Sequence, residues 1–75
     1  MKRIGTVSRV AQGLAVVRAP DDEYASVGTA VVDEELQTVG SVVDVFGPVK
    51  RPYLAVSPND DVHPPALVGK VLYAR

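Results

Sequence analysis

The chain has 75 residues, enough for one small domain with a single hydrophobic core. Eight Lys and Arg against nine Asp and Glu give a formal charge of −1, which is not the global footprint of a protein that lives on phosphate backbones. Cysteine is absent, so neither a disulfide framework nor a thiolate metal site supplements the core.

Sixteen valines against one isoleucine, one phenylalanine and no tryptophan describe a β-prone but light core. A chain of this size buries only about 60% of its unfolded surface, so a partner that covers apolar surface adds stability by mass action. No apolar run approaches the roughly 20 residues that a membrane span requires. The N-terminus lacks a signal-peptide core, because Gly5, Ser8 and Arg9 interrupt it at once. A cytoplasmic protein with no membrane partner is therefore expected. The acidic runs Asp21-Asp22-Glu23, Asp33-Glu34-Glu35 and Asp60-Asp61 read as solvated turns.

Loose alternation from Arg3 to Val10 predicts a first strand, and Gln12-Gly13 a turn into a second, Leu14 to Arg18. Pro20 to Gly28 is the longest polar connection. Thr29 to Asp33 is a third, short strand, after which Asp33 can cap one helical turn through Leu36. Thr38 to Phe46 and Tyr53 to Ser57 pair as a hairpin, and Ser57 to Pro65, with three of the six prolines, is a loop. Leu67 to Tyr73 is the sixth strand, with Gly69 marking a bulge or bend. Six short strands with almost no helix predict an all-β fold. A closed six-stranded barrel is preferred over a sandwich, because it leaves no edge strand to protect. Gly5, Gly40 and Gly69 fall where a small barrel bends. Residues 1–75 read as a single barrel domain, with no tail or linker.

Catalytic chemistry is hard to assemble from this chain. His63 is the only histidine, so a nucleophilic triad has one imidazole to draw on, and with Asp60 and Asp61 it makes only a meagre ligand set. No catalytic, cofactor-binding or metal-ligating residues are assigned. Asp44 interrupts the apolar run Val42-Val43-Val45-Phe46. It reads as an outward carboxylate or a polar contact to a partner, rather than a buried acid without a second carboxylate. Phe46, the only phenylalanine, is expected in the core, whereas the amphipathic Tyr53 suits core or surface.

The informative stretch is 39–56. Gly47-Pro48 and Pro52 make a stiff connection between two strands, tipped by Val49, Lys50 and Arg51. Such a loop holds one shape toward something outside the fold. Two cations are slight evidence for nucleic acid, and with four aromatic residues in all, a base-stacking platform is not expected.

The order Gly40-x-Val42-x-Asp44-Val45-Phe46-Gly47-Pro48-Val49, followed by Pro52-Tyr53, resembles the core of the Gar-one family, protein subunits of box H/ACA ribonucleoproteins. The opening Met1 to Val7 and the close Val68 to Tyr73 are similar to its archaeal branch. The resemblance implies a barrel of the reductase, isomerase and elongation-factor type, and a non-catalytic role in RNA-guided pseudouridylation of rRNA. It implies binding to the catalytic domain of the pseudouridine synthase subunit, with RNA reached only through the complex. The effect is on a mobile synthase loop that aids substrate loading and product release. The glycine-arginine flanks of eukaryotic relatives and the basic tail of many archaeal ones are not seen in these 75 residues. On this reading the partner-binding residues are Phe46, Gly47, Pro48, Val49, Lys50, Arg51, Pro52, Tyr53 and Leu54. Gly47 and Pro48 fix the path, Val49 and Tyr53 give apolar contact, and Lys50 or Arg51 sets register. Rival readings are a ribosome-associated barrel that binds ribosomal RNA or protein, and a barrel from a flavin enzyme, for which no Gly-rich phosphate cradle is present.

Overall fold

A computed structural model describes residues 2–21 and 24–75. It contains β1 (Lys2–Ala11), β2 (Leu14–Arg18), β3 (Ala30–Val32), β4 (Thr38–Phe46), β5 (Tyr53–Pro58), a 3-10 helix (Pro64–Leu67) and β6 (Val71–Ala74). The strands close into one antiparallel barrel in the order β1-β2-β5-β4-β3-β6. The all-β, six-stranded closed barrel expected from the sequence is what the chain forms. No helix among the described residues is long and apolar enough to cross a membrane.

Closure of so short a chain relies on local irregularity. Gln12 and Gly13 both take positive φ, 54° and 78°, and join Ala11 to Leu14 as the tight two-residue turn whose twist suits a hairpin. Register shifts interrupt four ladders: between Val7 and Arg9, Arg3 and Gly5, Val31 and Val32, and Val42 and Asp44. Such bulges bend a strand and increase its twist, which a narrow barrel requires. Gly5 and Gly40 sit where strands come closest: a Cβ there would run into the carbonyl oxygens of Arg18 and Ser57, respectively.

The interior is filled by Ile4, Val7, Ala15, Val17, Val31, Val39, Val42, Leu54, Val56 and Leu72 from the strands. Leu67, from the 3-10 helix, closes one end. Each such side chain contributes on the order of 1.5–3 kcal/mol by leaving water, so valines in number substitute for a few large residues.

Several expectations are corrected. Phe46 is not a core residue: it lies at the end of β4 and is 40% exposed. The sixth strand starts at Val71 rather than Leu67, and Gly69, with φ 87°, belongs to the turn before it. Pro58 extends β5 one residue beyond the expected Ser57, while Pro64 and Pro65 open the 3-10 helix, where the missing amide donors cost nothing. Asp33 caps no helix. Its Oδ1 accepts from the backbone N–H groups of Glu35 (2.9 Å) and Gln37 (3.0 Å), and Leu36 turns the chain with φ 65°. Two members of the run Asp21-Asp22-Glu23, Asp22 and Glu23, lie outside the described residues.

Candidate functional site

The β4–β5 hairpin is the densest collection of exposed chemistry at one end of the barrel. Phe46 and Tyr53 face each other across its base. Their rings stack with centroids 5.6 Å apart and planes inclined by 20°. Beyond Phe46, Gly47 takes φ 90°, and a Cβ there would stand 3.0 Å from the Tyr53 ring, so glycine both makes the bend and admits the stack. A turn from Pro48 to Arg51 follows, closed by the Arg51 N–H donating to the Pro48 carbonyl (3.2 Å). Val49 at its tip is 88% exposed, and Lys50 beside it is exposed as well.

Two neighbours stiffen this hairpin. Arg18, at the end of β2 and opposite Tyr53 in the β2–β5 ladder, has its guanidinium carbon 4.9 Å from the Tyr53 ring centre. Its Nη1 donates to the Tyr53 hydroxyl at 3.0 Å. A cation held over an aromatic face is worth about 0.5–2 kcal/mol, depending on how far it is desolvated. Arg51 Nε donates to the Ala19 carbonyl (3.0 Å), and the Ala19 N–H to the Pro52 carbonyl (2.9 Å). The loop is thereby tied to the segment that follows β2. A prearranged loop loses less entropy on association than a floppy one.

The residues singled out from the sequence thus divide. Phe46, Gly47, Pro48, Val49, Lys50 and Arg51 are exposed, and Tyr53 is half-buried between Phe46 and Arg18. Pro52 and Leu54 are buried, Leu54 entirely and in the core, so they support the hairpin and offer no contact surface. Asp44 lies on the outer face opposite Ala55, exposed, its Oδ1 accepting from the Val45 N–H at 2.8 Å. His63 is exposed at the start of the 3-10 helix, its side chain making no capping hydrogen bond. Among the described residues no group of three or more His, Cys, Asp or Glu is placed to hold a metal.

Sequence reasoning missed two parts of this surface. One is Arg18, whose position as the last residue of β2 was visible but whose partner across the barrel was not. The other is an apolar extension along β4. Val43, on the outer face, and Val27, in the β2–β3 connection, are both exposed. They lie one residue either side of the hydrogen bond from the Gly28 N–H to the Val42 carbonyl (2.8 Å).

These features define a small closed β-barrel that displays a braced, aromatic and basic hairpin. The sequence places it within a family: the pattern of the Gar1/Naf1 RNA binding region matches residues 1–75, the whole length, and the chain belongs to the Gar1/Naf1 family. It is also similar to an uncharacterized protein of Methanothermobacter thermautotrophicus (strain Delta H), with 30% identity over 97% of this chain and 82% of that protein.

Proposed function

We propose that this barrel is a non-catalytic subunit of an H/ACA ribonucleoprotein, and that it binds the catalytic domain of the pseudouridine synthase through the Phe46–Tyr53 hairpin. In that role it tunes substrate loading and product release during RNA-guided pseudouridylation of rRNA, and meets RNA through the complex. Membership of an RNA-binding family supports the setting. The observation that carries the surface assignment is the pairing of rigidity with exposure. Phe46 and Val49 are left to solvent on a hairpin braced by Arg18, Arg51 and Ala19. A monomer gains nothing from exposing its only phenylalanine and a valine on a rigid tip, whereas an interface does. The contact residues are then Phe46, Gly47, Pro48, Val49, Lys50, Arg51 and Tyr53, with the outer face of β4 around Val43 continuing the apolar area.

The test is binding of purified barrel to purified synthase by calorimetry. The double substitution Phe46→Ser, Val49→Asp should weaken binding about thirtyfold or more, the scale of losing one or two central anchors. Far-ultraviolet circular dichroism should stay that of a β protein. Equal affinity in a folded double variant places the interface elsewhere.

A further inference from the structure

The opposite end of the barrel carries a different surface. The connection from β3 to β4, the loop after β5, the 3-10 helix and Lys70 enclose an open groove of about 610 Å³. Val62 and Ala66 line it with the nearly buried Val39 and Leu67 behind them, and Asp33, Gln37, Thr38, Asn59, Asp61 and His63 give it a polar rim. A smaller notch of about 200 Å³ continues from it past Lys70, between Asp33, Glu34, Glu35 and Val71. Asp60 adds a further carboxylate in the same loop as Asp61. Against these stand Lys70 on the groove wall and Arg75, whose Nη1 donates to Thr38 Oγ1 at 2.9 Å. The balance of named charges is acidic. Two exposed apolar side chains lie beside the groove residues in the chain, Leu36 (58%) and Val68 (50%).

The notch also opens the sheet. The Arg75 N–H donates to the Ala30 carbonyl, and Tyr73 stands opposite Val32. By the alternation of an antiparallel ladder, the peptide groups of Val71 therefore also face the β3 side. The β3–β6 ladder ends at Val32 and Tyr73, and beyond it the Asp33 N–H turns toward β4, donating to the Gln37 carbonyl. Among the described residues, no backbone group meets Val71 on that side.

We infer that this groove and notch bind an extended, basic polypeptide segment, with an apolar side chain seated on Val62 and Ala66 and lysine or arginine side chains among Asp33, Glu34, Glu35 and Asp61. Charge decides the class of partner: phosphates would be repelled by these carboxylates, whereas a cationic chain is attracted. The free Val71 peptide groups suit an extended backbone, the mode by which peptides add to an open sheet position. The groove volume falls within the range that holds a few side chains. This inference is independent of the hairpin's partner, because it uses the other end of the molecule.

The experiment uses the full chain and a fluorescein-labelled twelve-residue peptide of alternating lysine and leucine, with a glutamate-leucine peptide as its counterpart, read by anisotropy at low salt. The basic peptide should bind, and its dissociation constant should rise as salt screens the exposed charges. The triple substitution Glu34→Gln, Glu35→Gln, Asp61→Asn should weaken it about tenfold, and each of its single substitutions by a measurable fraction of that, while Asp44→Asn, the loss of one carboxylate on a distant face, should leave it unchanged. Asp33 is spared because its carboxylate holds the turn. The inference is overturned if the two peptides bind alike, or if the triple variant and Asp44→Asn behave alike. It is also overturned if the basic peptide fails to bind while the protein self-associates in a way the triple substitution abolishes, since a second copy's basic end would then be the occupant.

Discussion

The two ends of this barrel are built on different terms. At the hairpin end, Arg18 lies over a partly exposed aromatic pair, Lys50 and Arg51 occupy the turn beyond it, and Asp44 lies on the outer face of β4. Every element of the hairpin there is anchored: ring on ring, guanidinium on ring, side chain on carbonyl. At the other end, Asp33 and Asp61 stand on a groove that reaches down to Val39 and Leu67, the edge of the core, with Glu34 and Glu35 at the adjoining notch. One end projects a rigid shape; the other offers a recess. A chain of net charge −1 thus sets a basic hairpin turn apart from a carboxylate-lined groove, a local contrast that total charge alone conceals.

The difference rests on one residue in β4. Val42 points into the core, and strict alternation from it would send Asp44 and Phe46 inward as well. The bulge between Val42 and Asp44 inserts Val43 as an extra residue and inverts the phase. Asp44 and Phe46 then face out, while Val45 packs against the core. Inserting one alanine between Val43 and Asp44 adds a residue that the single bulge does not absorb and inverts the phase again, which forces a carboxylate and a phenylalanine into an interior already filled by valine and leucine. Burying an unpaired carboxylate costs several kcal/mol and overpacking the core about 1–3 kcal/mol, so the insertion variant should be unfolded at 25 °C. Loss of the β-type circular dichroism spectrum checks this. A folded insertion variant with normal stability would show that the strand absorbs a second extra residue and that the facing of Asp44 and Phe46 does not rest on this single bulge.

The same bulge marks the limit of what was legible in the sequence. Strand number, the Gln12-Gly13 turn and the hairpin were all readable, because they depend on local chemistry: turn residues and β-branched runs. Gly40 was read as a bend, and its close approach to the Ser57 carbonyl shows only in the structure. The facing of Phe46 was not, since a bulge is settled by pairing with β5, and the only phenylalanine of a light core looks internal by size. Leu67 shows the converse: its apolar character was read correctly, but it enters the core from a 3-10 helix, because Pro64 and Pro65 deny the ladder its donors. The Arg18–Tyr53 contact joins residues 35 apart in sequence, and no local pattern announces it.

Leu67→Ala tests the recessed end alone. Leu67 is 5% exposed and belongs to the core cluster, so its truncation should cost about 2–5 kcal/mol, read by urea denaturation. The groove floor deepens as the side chain is lost, so the basic peptide should bind with altered affinity. The hairpin, tied by contacts that do not include Leu67, should keep its affinity for the synthase at a temperature where the variant remains folded. Equal loss at both ends would mean that the barrel transmits strain from one mouth to the other.

Tyr53→Phe is the finest probe, because it removes one oxygen from the braced end and leaves the ring. The hydroxyl accepts from Arg18 Nη1 at 3.0 Å, and Arg18 Nε, buried without a protein partner, already depends on its surroundings for satisfaction. Losing the hydroxyl leaves a second guanidinium donor without that acceptor, while the 5.6 Å stack on Phe46 and the cation over the ring persist. A stability loss of about 1 kcal/mol is expected from the hydrogen bond alone, measured by urea denaturation with an unchanged slope. Affinity for the synthase should hardly move, since the exposed apolar atoms of Phe46 and Val49 are untouched. A loss of binding as large as that of Phe46→Ser, Val49→Asp would instead assign the hydroxyl–guanidinium pair to the interface, and the hairpin would then be recognised through its polar brace rather than its apolar tip.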